Sequence, residues 1–494
     1  MGTRRLRASR AVVVKTLRQL GAVMSVLAIL AGHASPVATA IPPPVVEPGP
    51  PPSGPVGPSE PTEQKAICGI PTGVLPHTDF SVQTAAEAML DYSRAWQYTR
   101  GAGQKVAVID TGVSRHPRLP FLEGGGDYVA HTDGLQDCDA HGTLVAGIIA
   151  GSPSPYDMFS GVAPEATILS IRQNSAVFGV AGSGGGQRND VNAVSTGYGN
   201  TLTLAYAITR AVDLGATVIN LSMAACTPAS AKPDDAALGR AVRYAFERNV
   251  VVVAAAGNLS KQGGQGGLCS IQNSMTDPNR PLDNAWDTVR TVASPAWFDS
   301  YVLAVAAVTP EALPADFSLR GPWVAVAAPG ERITSLDANG PGLINAEPDQ
   351  QGALSPINGT SFAAPFVSGL AALIRAYRPD LNAGQVMDVI KRTARTPGSG
   401  PNLATGWGVI DPVAALTYEL PPSDQLPNVQ VGIQIPGRAA HVDTGRNARM
   451  IVYSVTTGSI VLMAIAWALA SARRRRPTAD GEARKHAARP KFDS

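Results

Sequence analysis

Three short segments constrain this chain more than anything else in it: Val106-Ala-Val-Ile-Asp110-Thr-Gly, Asp139-Ala-His141-Gly-Thr and Asn358-Gly-Thr-Ser361-Phe-Ala-Ala-Pro365. They set a carboxylate, an imidazole and a hydroxyl on three separate elements. Asp110 closes a short apolar run that reads as a buried parallel strand, and Thr111-Gly112 ends it, so the carboxylate falls at the strand's carboxyl end. His141 and Ser361 each stand just ahead of an apolar run of helical type, Leu144 to Ile149 and Phe362 to Ile374. All three side chains can therefore meet at one rim of a sheet. Taken singly, each has an ordinary reading: Asp before Thr-Gly forms turns, His141 can sit at a helix start, and Ser361 can cap a helix. Three matched contexts in this order carry the weight.

In that order and those contexts the chain resembles the subtilisin-like serine peptidases, whose Asp, His, Ser sequence order is well known. A chymotrypsin-like chain would run His, Asp, Ser, and an α/β-hydrolase requires Gly-x-Ser-x-Gly, which no serine here satisfies. A serine hydroxyl is a poor nucleophile at neutral pH. The resemblance implies that His141 takes its proton as Ser361 attacks a carbonyl and returns it to the leaving amine, while Asp110 fixes the imidazole tautomer. Ser361 at a helix start aims backbone N–H groups at developing negative charge, and Gly359 permits the close approach.

The run Val250 to Asn258 reads as a buried strand that delivers an amide side chain at its carboxyl end. Alone, Gly257-Asn258 is a turn. The resemblance makes Asn258 the oxyanion-hole donor beside the Ser361 N–H. It also makes Ser222, Met223 and Ala224 part of the strand that pairs with an extended substrate, and Ala255, Ala256 and Gly257 the opposite wall of the first specificity pocket. The family usually carries glycine soon after that serine. This chain has Ala224-Ala225-Cys226 instead, which leaves the width of the cleft open.

From about Thr84 to Leu416 the chain is long enough for one large domain. Strands at Ala166 to Ile171, Thr217 to Ser222 and Val250 to Ala255 alternate with helical patterns at Leu202 to Leu214 and Asp234 to Arg248. That alternation predicts an α/β fold, a mostly parallel sheet with helices on both faces. Gly179 to Asn200, with its glycine run, is expected to be an inserted surface loop.

The ends indicate where the chain works. Residues 1 to 40 combine arginines and Lys15 with the apolar stretch Ala22 to Ala31 and Ala38-Thr-Ala40, which reads as a cleavable export signal. Residues 41 to 83 begin Pro-rich and should extend along the domain. Residues 417 to 449 form a Pro-containing linker. Met450 to Ser471 is uncharged and apolar, and Arg473 to Arg476 follow, so a C-terminal transmembrane helix with a basic cytoplasmic tail, 472 to 494, is expected. This topology makes the chain a single-pass protein of the cell membrane with its peptidase domain on the extracytoplasmic side.

Cys68, Cys138, Cys226 and Cys269 are an even number in an exported chain and lack a Cys-x-x-Cys pattern, so two disulfides are favoured over metal ligation. Three pairings are open. Cys68 with Cys138 and Cys226 with Cys269 is preferred, because the second pair would join loops after two adjacent strands near the cleft. No cofactor is implied, no acidic cluster has a calcium-loop spacing, and a formal net charge of +2 over 494 residues gives no reason to expect nucleic-acid binding.

Together, the exported subtilisin-like domain, the Pro-rich start leading to Cys68, the Gly-rich insertion and the C-terminal apolar helix resemble the mycosins. Those are membrane-anchored peptidases associated with type VII secretion systems. The resemblance implies protein or peptide substrates, hydrolysed from secreted or cell-envelope proteins, and a place in or beside the secretion membrane complex. An alternative role follows from it as well: a structural subunit that stabilises that complex, with proteolysis dispensable.

Overall fold

Runs of β-branched and small apolar residues form the centre of the structure, a computed structural model that describes residues 41–419 and 444–473 apart from 70–71, 184–192, 195, 232, 260–268, 277–281, 350–351 and 399. The export signal, most of the linker and nearly all of the basic tail lie outside the described residues. The chain divides into two units, residues 1–420 and 421–494.

In the first unit, elements follow one another as β1 (Thr62–Gln64), α1 (Ala85–Leu90), β2 (Lys105–Asp110), β3 (Leu122–Asp127), α2 (His141–Ala150), β4 (Thr167–Arg172), β5 (Phe178–Val180), α3 (Thr201–Asp213), β6 (Val218–Leu221), β7 (Ala225–Pro228), α4 (Ala236–Glu247) and β8 (Val251–Ala255). Then come β9 (Thr291–Ser294), β10 (Val302–Val308), β11 (Val324–Pro329), β12 (Ser335–Leu336), β13 (Leu343–Ile344), β14 (Ala346–Pro348), β15 (Leu354–Pro356), α5 (Thr360–Tyr377), α6 (Ala383–Thr393) and α7 (Pro412–Thr417).

Seven strands make one sheet in the order β11-β10-β8-β6-β2-β4-β3, and every pairing within it is parallel. Every residue of β6, β8 and β10 is buried. Alternate residues of a strand face opposite ways, so continuous burial means that both sheet faces are covered. Helix α3 packs with α4, and α2 packs with α5, which also contacts α6 and α7. Because the strands are parallel, their carboxyl ends share one rim, where Asp110 ends β2 and Ala255 ends β8.

The start of the expected Gly179 to Asn200 loop is ordered structure: β5 pairs antiparallel with β1, setting Thr62 opposite Val180. Upstream of β1, the chain runs over two helices, with Gly54 against the Tyr206 ring of α3 and Gly49 against Arg240 of α4. Downstream, the Gly69 N–H donates to the Cys138 carbonyl at 3.1 Å. Two disulfides close, Cys68–Cys138 and Cys226–Cys269. The first fastens this N-terminal strap beside the segment that carries His141.

The second unit contains α8 (Thr444–Arg473), 30 residues long. Its side chains are described from 456 to 471, where Ile460, Leu462, Met463, Trp467 and Leu469 are all exposed. Among the described residues, no helix is long and apolar enough to cross a membrane.

Candidate active site

Asp110 leaves β2 buried at the sheet rim, and its Oδ1 accepts from the Thr111 N–H at 2.8 Å. The same oxygen lies 2.7 Å from Nδ1 of His141, the first residue of α2. A carboxylate at Nδ1 sets the tautomer and leaves Nε2 as the ring nitrogen able to accept a proton. The ring also lies against Phe362, with centroids 5.2 Å apart.

The start of α2 is held by a side chain that the sequence motifs did not single out. Buried Asp137 accepts from the Thr143 N–H and hydroxyl at 2.8 and 2.6 Å and from the Thr111 hydroxyl at 2.8 Å. Thr111 Oγ1 in turn accepts from the Gly142 N–H at 2.9 Å. One carboxylate thus ties the Asp110 turn to the His141 helix. Asp137 stands ahead of the N-cap position, which Ala140 occupies, so no capping signal in the local sequence marks it. Residue 142 must be glycine here, since a Cβ would stand 2.0 Å from the Gly112 carbonyl oxygen.

Ser361 sits in the first turn of α5, where N–H groups have no intrahelical acceptor and the helix dipole is positive. Its carbonyl is fixed from below: the Ser222 hydroxyl donates to it at 2.6 Å, Asn220 Nδ2 donates to Ser222 Oγ at 2.9 Å, and Ser368 donates to Asn220 Oδ1 at 2.7 Å. Ser222 therefore has a structural bond besides its place in the cleft lining.

Asn258 follows β8. Its Oδ1 accepts from the Thr360 N–H at 2.9 Å and hydroxyl at 3.0 Å. With the carbonyl side engaged, Nδ2 remains as a donor toward the cleft. A Cβ on residue 359 would stand 3.5 Å from that nitrogen, in ordinary van der Waals contact.

Asp110, His141, Ser361 and Asn258 line one cleft of about 340 Å³ together with Ser222, Met223, Ala224, Ala255 and Gly257. Ala256, expected on the pocket wall, is completely buried. Its backbone N–H donates to the Val305 carbonyl at 2.9 Å, so that donor is taken up within the sheet. Glu347, on β14, also lines the cleft. Burial works against a charge on His141, but the negative charges of Asp110, Glu347 and Asp137 outweigh it and bring its pKa up to about 9.

This fold and this cleft define a subtilisin-like serine endopeptidase. The model of the subtilase family of peptidases matches residues 101–408. Mycosin-4 of Mycobacterium tuberculosis is 45% identical over 478 residues, which cover 94% of this chain and 98% of that protein. The solved structure of the MycP3 protease from the type VII (ESX-3) secretion system is 46% identical and superposes with a TM-score of 0.69, over 77% of this chain and 100% of that one. A chain of the intact ESX-5 inner membrane complex is 40% identical with a TM-score of 0.70, over 87% of this chain and 100% of that one. The chain belongs to the mycosins, within the subtilase family.

Proposed function

We propose that Asp110, His141 and Ser361 form the catalytic triad with which this endopeptidase hydrolyses secreted or cell-envelope proteins. The observation that carries the proposal is the 2.7 Å contact between His141 Nδ1 and Asp110 Oδ1 in the cleft that also holds Ser361. Neutral His141 accepts the Ser361 proton as Oγ attacks the scissile carbonyl. The imidazolium is stabilised by Asp110 and then protonates the leaving amine, and a water repeats the sequence on the acyl-enzyme. Asn258 Nδ2 and the Ser361 N–H serve as the oxyanion hole. Ser222 to Ala224 provide the main-chain edge that pairs with an extended peptide, and Ala255 to Gly257 the opposite wall of the first specificity pocket.

The domain plan proposed with this chemistry is an export signal over 1–40, a strap over 41–83, a peptidase domain over 84–416, a linker over 417–449, a membrane span over 450–471 and a cytoplasmic tail. The span is supported by the uncharged sequence Met450 to Ser471 followed by four arginines. It places the peptidase domain on the extracytoplasmic side. Association with a type VII secretion membrane complex is supported by the likeness to a chain of the ESX-5 inner membrane complex. That likeness also favours a second reading, a subunit needed for the complex apart from its chemistry.

Complementation of a deletion strain by the wild type and by Ser361→Ala separates the two. Loss of both processing and secretion with Ser361→Ala makes hydrolysis the essential task. Restored secretion without processing makes physical presence essential, and full processing by Ser361→Ala would refute the triad.

A further inference from the structure

One carboxylate in the cleft has no bonded part in the proposed chemistry and acts on it only through its charge on His141. Glu347 lines the same cavity as Asp110, His141 and Ser361. The other two acids of that lining are engaged: Asp110 by His141 and the Thr111 N–H, and Asp139 by the Ser175 hydroxyl and the Ala176 N–H. Among the described residues, the Glu347 carboxylate has no hydrogen-bond or ion-pair partner, and His141 is the charge that acts on it. The lining contains no lysine or arginine. Burial pushes the Glu347 pKa up, and His141 pulls the other way. A partly buried acid without a partner is costly, and a cation brought into the cleft would offset that cost.

Its position is built, not incidental. Glu347 faces Ser355 across the β14–β15 hairpin, and β15 runs through Ile357 directly into the Asn358 to Ser361 segment. The strap pins the other side: Gly73 and Ala346 exchange backbone bonds of 3.0 and 3.1 Å, and the Asn345 side chain accepts from the Leu75 N–H at 2.8 Å and donates to the Thr78 hydroxyl at 2.9 Å. Asn345 and Ala346 are therefore anchored immediately beside the free carboxylate.

We propose that Glu347 is a specificity-determining residue that binds a lysine or arginine side chain of the substrate close to the scissile bond. The proposal rests on the catalytic reading above. An electronegative cleft steers cationic segments, and a charge pair formed in a partly desolvated site discriminates more strongly than one on an open surface.

The test is a set of peptides in which each position around the cleaved bond carries either lysine or the neutral isostere norleucine, hydrolysed by the full chain and by Glu347→Gln. At one position the wild type should favour lysine by about tenfold, and Glu347→Gln should reduce that ratio to within about twofold. A ratio taken within one enzyme at one pH cancels any effect of Glu347 on the basicity of His141. Equal ratios in the two proteins at every position would overturn the proposal. Hydrolysis by Ser361→Ala at the wild-type rate would instead refute the catalytic reading. If the wild type cleaves none of the peptides, their affinities for Ser361→Ala and for the Ser361→Ala, Glu347→Gln double variant decide: tighter lysine binding that needs Glu347 supports the proposal, and equal affinities overturn it.

Discussion

The Ser222 hydroxyl donates to the Ser361 carbonyl oxygen at 2.6 Å, joining the end of β6 to the first turn of α5. Asn220 and Ser368 complete the connection, and all three side chains are buried. Ser222→Ala should leave the Ser361 carbonyl and the Asn220 amide unpaired, at about 1–3 kcal/mol. Calorimetry should show a lower Tm, and kcat should fall more than KM rises, because the displaced group is the nucleophile. Unchanged Tm and kcat would mean that the bond positions nothing.

The raised pKa of His141, about 9, gives activity and stability opposite pH trends. Only neutral imidazole can accept the Ser361 proton, so kcat/KM should climb through the alkaline range with an apparent pKa well above the ordinary value of about 6.5. Since folding raises this pKa, the folded state binds the extra proton. The associated stability is complete below about 6.5 and is lost as pH rises through about 9. Stopped-time assays and thermal melts across that window check both signs. A kcat/KM plateau reached by pH 7 would contradict the electrostatic account.

Asn258→Ala removes the proposed oxyanion donor and the acceptor for the Thr360 N–H. Turnover should fall roughly 100- to 1,000-fold while peptide affinity changes little, since the donor acts mainly when the tetrahedral oxyanion forms. Kinetics of the purified variant would read this directly. Turnover within a few-fold of wild type would move the role to another group.

The Cys68–Cys138 disulfide spans 70 residues and fastens the strap beside the His141 segment. In the chain-entropy view a loop of this size contributes about 4 kcal/mol. The Cys68→Ser, Cys138→Ser double variant should melt at clearly lower temperature. A free Cys68 thiol in the purified protein, or an unchanged Tm, would show that the strap is held by other contacts alone.

What the sequence revealed followed its strongest local signals. Buried parallel strands announce themselves as apolar runs, and the expected Ala166 to Ile171, Thr217 to Ser222 and Val250 to Ala255 fall within one residue or so of β4, β6 and β8. The amphipathic stretches Leu202 to Leu214 and Asp234 to Arg248 likewise match α3 and α4 closely. Strand β3, Leu-Glu-Gly-Gly-Gly-Asp, has no such pattern, because an edge strand pairs through backbone groups on one side only. The motif residues Asp110, His141, Ser361 and Asn258 were visible because each stands at or close to the end of a regular element. Asp137, Asn220 and Ser368 support them through tertiary bonds, which leave no trace in local sequence. Glu347 left none: Ala346-Glu-Pro348 has no motif, and its place in the cleft comes from the hairpin and the strap.

The central claim is that Ser361 is the nucleophile, activated by His141 and oriented by Asp110. The most direct measurement is reaction of the purified protein with a serine-directed fluorophosphonate, located by peptide mass mapping. The account predicts a single adduct on Ser361, none in Ser361→Ala, and loss of most labelling in His141→Ala and Asp110→Asn, since the first lacks the base and the second mis-sets its tautomer. Equal labelling of the wild type and Ser361→Ala would contradict it.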